Sequence, residues 1–173
     1  MTTVQTVLDY RQHNPKPLLK TIAWVGLLVG SLDIFSACLQ AYLARGISPE
    51  TVLRFIASGA FGKPAFTGGW EMPLTGLLFH YLIAYSFTTL FFLLYPSIKL
   101  MSKSIVLTAI AYGILIFLVM NLLVLPLTRI TRAPIQLYKA AIATGILIVA
   151  IGLPLSIFAR KFYRHSNAIS KAG

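Results

Sequence analysis

Charge is what this sequence has least of. Asp, Glu, Lys and Arg make up 11% of its 173 residues, against roughly 25% in soluble domains. Just four of them are acidic, and too little charge is present to cover a water-facing globule. One cysteine, Cys38, excludes an intrachain disulfide and leaves the redox compartment unreadable. The marks of enzyme chemistry are missing too. There is no Ser/His/Asp order, no paired carboxylate and no CxxC, and neither Ser58 nor Ser86 has a base placed beside it. One His and one carboxylate within the apolar runs are too few to surround a metal ion, so no metal and no cofactor is expected. No internal repeat and no low-complexity tract occurs.

What is present is apolar. Hydrophobic residues reach 57% and the mean hydropathy is +0.80. The net charge of +11 would suggest nucleic acid in a soluble protein. Here the basic residues flank apolar runs, which is how membrane proteins are oriented and anchored, so the lipid bilayer is the expected partner and nucleic acid is not. A polar tail of 20 residues precedes the first run, and Asp33 interrupts that run. A removable signal peptide has an apolar region of only about 7–15 residues, so the first run is expected to stay in the mature chain. Phe35-Ser36-Ala37-Cys38 fits a lipoprotein cleavage box poorly, and Cys38 reads as a small packing residue.

The sequence predicts an all-α integral membrane protein, a bundle of four transmembrane helices. Residues 1–20 form a basic tail, in which 1–10 suggest a short surface helix and Asn14-Pro15-Lys16-Pro17 resists helix. Spans are expected over about 21–44, 71–95, 103–125 and 135–159, within a membrane domain covering 21–159. Pro96 and Pro126 end the second and third, and Pro154 predicts a kink near the end of the fourth. Residues 160–173 form a second basic tail. Trp24 and Tyr42 sit near the ends of the first span, as suits headgroup depth. Counting Lys and Arg gives nine on the side of the two tails and six on the other. Both termini are therefore expected in the cytoplasm.

The first outer loop has its own structure. Ser48-Pro49-Glu50 reads as a helix start, with Ser48 as cap, Pro49 at the first position and Glu50 on the dipole. The resulting helix, 49 to about 57, is too short to span and is expected to be interfacial or re-entrant. Glycine-rich backbone follows. Ser58, Gly59 and Gly62 have either the spacing of an anion-binding nest or that of a turn back to the membrane. Arg54 on the short helix pairs with Asp33, receives an anion, or snorkels to the interface. Glu71 complements the dipole of the second span.

The candidate site lies in the spans. Asp33 is costly in hydrocarbon, roughly 2.5–3.5 kcal/mol on insertion scales, and should face protein. Gly26, Gly30, Asp33, Ala37, Ala41 and Ala44 recur three or four apart and share that face. Gly145, Ile148, Gly152 and Ser156 mark a packing face on the fourth span. At 1.5 Å per residue, Asp33 lies about 12 Å, His80 about 13 Å and Asn121 about 6 Å from the outer boundary of a core about 30 Å thick. Asp33 and His80 thus have matching depths. They read either as a proton-titrating or ion-binding pair or as a polar clamp between helices, and His80 has Asn121 or a backbone carbonyl as alternative partners.

Four stretches carry a resemblance. They are Ile56-Ala57-Ser58-Gly59-Ala60-Phe61-Gly62, Ala65-Phe66-Thr67-Gly68-Gly69, Gly76-Leu77-Leu78-Phe79-His80 and Met120-Asn121-Leu122-Leu123-Val124-Leu125-Pro126-Leu127. Together they resemble an uncharacterised family of small bacterial inner-membrane proteins of the YagU type, over about residues 26–160. The resemblance implies a four-span, multi-pass protein of the bacterial inner membrane and brings no activity with it.

Function therefore rests on residues. The leading expectation is a small transporter- or channel-like protein with an Asp33/His80 proton or solute site. The alternative is a non-catalytic assembly factor, regulator or subunit, self-associating or bound to another membrane protein through small-residue faces. A membrane enzyme acting on lipid or quinone beside Arg54 or His80 ranks last.

Overall fold

A computed structural model describes residues 15–130 and 136–172, all of whose regular structure is helical. The suggested helix over 1–10, Arg132 and the expected start of the fourth span at Ile135 lie outside the described residues. Helix α1 runs Pro15–Arg45, α2 Pro49–Phe61, α3 Pro64–Thr67 and α4 Glu71–Leu94. Then come α5 Lys99–Lys103, α6 Ile105–Val119, α7 Leu137–Leu147 and α8 Leu153–Ala172. Four segments are long and apolar enough to cross a membrane: Leu18–Arg45, Glu71–Leu94, Ile105–Leu127 and Leu137–Arg164.

Helix α1 starts at Pro15, inside the stretch expected to resist helix. Proline is well placed in a first turn, where its missing N–H would have no partner anyway. Its buried stripe, Leu18, Ile22, Val25 and Val29, has the spacing of one helix face. Helix α2 begins as expected: Ser48 Oγ accepts from the Thr51 N–H at 3.3 Å and Pro49 follows. It ends at Phe61 and not near residue 57, so Ser58 and Gly59 lie inside the helix. Gly62, at φ +68°, closes it. Helix α5 was not expected. Ser104 leaves it in extended conformation and caps α6 by accepting from Leu107 N–H.

Two widened turns interrupt the third and fourth long apolar segments. Met120–Val124 and Ile148–Gly152 form π-helical turns, each followed two residues later by a proline, Pro126 or Pro154. The residue before each proline donates to the carbonyl five back: Leu125 to Met120, and Leu153 to Ile148. Proline has no N–H and its ring crowds the carbonyl four residues earlier. A widened turn accommodates both defects and lets the helix continue. Pro126 accordingly sits in a 3-10 turn, Leu125–Leu127, beyond the expected stop.

Glycines set the helix contacts. A Cβ on Gly26 or Gly30 would run into the rings of Tyr85 and Tyr81 on α4, on Gly76 into the Leu53 carbonyl of α2, and on Gly152 into the Ala109 carbonyl of α6. Small faces of this kind let helices approach at backbone distance. Helices α4 and α6 meet through aromatics: Phe91 and Tyr112 pack edge to face at 4.6 Å, and Tyr112 Oη donates to the Phe87 carbonyl. Beyond them Tyr95 stacks on Tyr163 at 5.3 Å. Large apolar side chains such as Trp24, Leu78, Leu122 and Val149 remain more than half exposed on the outer flanks, as suits a surface covered by lipid.

Candidate functional site

Between the aromatic cluster and α2 lies a cavity of about 180 Å³. Each of the four long segments contributes to it. Val29 and Asp33 come from α1, His80, Ile83, Ala84 and Phe87 from α4, and Ile56 from α2. Ile116 and Met120 enter from the third segment, Leu147 and Ile151 from the fourth. Met120 and Ile151 belong to the two π-helical turns, a feature that recurs at functional sites. Asp33 and His80 are the only ionisable groups among these lining residues.

His80 Nε2 lies 2.8 Å from the Gly30 carbonyl oxygen. A carbonyl only accepts, so Nε2 carries hydrogen and Nδ1 is the ring nitrogen without this bond. Its neighbour Tyr81 packs edge to face on the ring at 5.6 Å and bonds Ser31 Oγ at 2.8 Å, while Tyr85 Oη donates to the Ala23 carbonyl at 3.0 Å. Three polar tips from α4 thus grip α1 on either side of its glycines.

Asp33 is not part of that grip. Among the described residues it makes no hydrogen bond, and the close ion pair is Arg54–Glu50. Yet no side-chain oxygen or nitrogen among the described residues is both sealed and unbonded. The Asp33 oxygens are therefore not sealed, and Asp33 lines the cavity. Asp33 and His80 both line this cavity, with no hydrogen bond or ion pair between them.

The other expected residues fall elsewhere. Arg54 neither meets Asp33 nor snorkels outward. Its Nε donates to Glu50 at 2.9 Å and its Nη1 donates to the carbonyls of Ala65 and Gly68 at 3.1 and 2.7 Å. It is a staple that folds the outer loop over α2. Ser58 Oγ donates to the Phe55 carbonyl, the Gly62 N–H to the Ser58 carbonyl, and the Gly59 carbonyl accepts from Arg129 N–H. Ser58, Gly59 and Gly62 thus make a helix end and not a nest of free N–H groups. Asn121 Nδ2 donates to the Phe117 carbonyl of its own helix at 2.9 Å, and Asn121 is not a lining residue of the cavity. Ala37 is half-buried and Ala44 exposed, so the small face of α1 is fully buried only around Gly26 and Gly30. Gly145 has open space where a side chain would sit, and Gly152 carries the contact instead.

Several contributors escaped the sequence reading. Gly76, one turn before His80, lets α2 approach, and Ile56 then reaches the cavity. The signal was present in the spacing of Gly76 and His80, four apart on one face. Tyr81 and Tyr85 show the same spacing opposite Gly26 and Gly30. No protein-family model, curated protein or solved structure matches the chain.

Proposed function

We propose that this is a small transporter- or channel-like membrane protein in which Asp33 and His80 form a proton-titrating solute site. The observation that carries the reading is that Asp33, unbonded and not sealed, lines an otherwise apolar cavity together with His80. A structural clamp would use the carboxylate oxygens in bonds between helices. Here the clamping falls to His80, Tyr81 and Tyr85, and Asp33 is free to exchange a proton or meet a cation. Ionisable groups kept inside a membrane span at such cost are characteristic of proton and solute pathways. The groups facing Asp33 from α2, α4 and the third and fourth segments are apolar apart from His80, so protonation there depends on these two residues.

The reading includes a re-entrant α2. Its Leu53 and Ala57 backbone lies against Gly76, and Ile56 reaches the level of His80, which is about 13 Å along α4 from Glu71. Placement in a bacterial inner membrane rests on the YagU-type resemblance, and cytoplasmic termini rest on the Lys/Arg asymmetry. Reporter fusions at each terminus test the orientation.

The activity is tested in proteoliposomes loaded with a pH-sensitive dye. An imposed ion or pH gradient should drive proton movement in the wild type and not in Asp33→Asn. Equal flux in a folded Asp33→Asn protein would sink the reading. One observation favours the alternative of a non-catalytic membrane subunit: the groove of Ser36, Ile142, Gly145, Ile146 and Val149 leaves open space at Gly145. A stable complex with a different membrane protein, seen by native mass in mild detergent, would support that alternative.

A further inference from the structure

Building on the reading of Asp33 and His80 as an ionisable site, we infer that the cavity takes a small organic ammonium ion in exchange for the proton on Asp33.

The wall selects the class. Beyond Asp33 and His80 it is hydrocarbon and thioether, with Ile56, Phe87, Ile116 and Met120 among its surfaces. A hard inorganic cation leaving water needs about six or more oxygen ligands. This cavity offers one carboxylate, and the nearby Gly30 carbonyl already accepts from His80. An alkylammonium ion carries its own apolar shell. It gains by burying that shell against the wall and needs a single counter-charge. Phe87 and Met120 add polarisable surface suited to a cationic head.

The wall also excludes the other classes. An anion or a sugar-like solute needs hydrogen-bond donors, and the lining includes no Arg, Lys, Ser, Thr, Asn or Gln. Size narrows the choice further. At about 180 Å³ the cavity is smaller than the roughly 300–1,000 Å³ of sites for drug-sized ligands, so the ion is small. The exchange balances without any bond breaking in the solute. The ammonium ion enters beside the carboxylate, one proton leaves Asp33 for water, and the net charge of the site is unchanged.

The test uses the full-length protein in mild detergent, with calorimetric binding of tetramethylammonium and tetrabutylammonium chloride. Sodium chloride is the inorganic probe and tert-butanol the uncharged mimic. Tetramethylammonium should bind with Asp33-dependent proton release, and the other three at least about tenfold more weakly; Asp33→Asn should lose a similar factor, as expected when a desolvated charge pair is removed. The ligand series on the wild type keeps the test decisive should the variant fail to fold. Sodium or tert-butanol binding as tightly as tetramethylammonium overturns the inference. An acid-jump titration without amine separates the two readings. An Asp33-dependent proton without amine binding overturns the ammonium assignment alone. Loss of that proton overturns both.

Discussion

His80 on the second long helix donates through Nε2 to the carbonyl of Gly30 on the first, at 2.8 Å, one helical turn before Asp33. The bond fixes which imidazole nitrogen remains for chemistry. It also explains how the two helices are held together without spending the carboxylate. Gly30 makes the approach feasible: a Cβ there would stand 2.9 Å from the Tyr81 ring.

His80→Phe keeps an aromatic ring and removes the donor. The expected loss of stability is about 0.6 kcal/mol and no more than about 1.7, the range of interhelical hydrogen bonds in membrane proteins. Reversible unfolding in mixed micelles measures it. A loss above about 3 kcal/mol would mean that the ring organises much more of the bundle than one bond.

The four long apolar helices were legible because hydrophobic length alone sets them, and rise per residue, which converts position into depth, already put Asp33 and His80 at one level, where both line one cavity. Contact across helices was not. Arg54 looked like a partner for Asp33 because both are charged and one loop separates their helices. The carbonyls of Ala65 and Gly68 that claim its guanidinium belong to irregular backbone, and such geometry has no periodic signature. Asn121 was an alternative partner for His80 because both fall in the outer half of the membrane core, but rotation about the helix axis is not given by depth. The π-helical turns before Pro126 and Pro154 shift that rotation further.

Two glycine substitutions should separate in effect. At Gly76 an added Cβ overlaps the Leu53 carbonyl, which is backbone and cannot step aside, whereas Gly145 has nothing within reach. Gly76→Ala should cost roughly 1–3 kcal/mol through overpacking. Gly145→Ala should be neutral or stabilising by up to about 1 kcal/mol through helix propensity. Thermal unfolding of the two purified variants in one detergent checks the order, and equal melting temperatures would contradict the packing of α2 on α4.

Arg54 should resist conservative replacement. Its guanidinium reaches Glu50 and two carbonyls at once, with the side chain only 15% exposed. A lysine ammonium has no planar fork with which to satisfy all three. Both Arg54→Lys and Arg54→Ala should loosen residues 62–70, with a loss of about 1.5–3 kcal/mol typical of hydrogen bonds to a charged group. Hydrogen exchange at the amides of Ala65 to Gly69 reads the loosening directly. Full protection in Arg54→Lys would show that charge alone holds the loop.

The prolines give the last prediction. Pro154 follows the turn that presents Ile151 to the cavity, and its missing N–H leaves the Ala150 carbonyl without an α-helical partner. Pro154→Ala restores that donor, so the turn can tighten toward α-helix. Interior proline costs a regular helix about 3 kcal/mol, part of which the widened turn already relieves. The variant should therefore gain roughly 1–3 kcal/mol in stability. Tightening also turns Ile151 about the helix axis and alters the cavity wall it shares with Asp33, so Asp33-dependent proton uptake should fall in the same protein. Stability measured by unfolding and proton uptake measured by acid jump must move in opposite directions. A variant that is more stable and equally active would mean that the widened turn serves the proline and not the site.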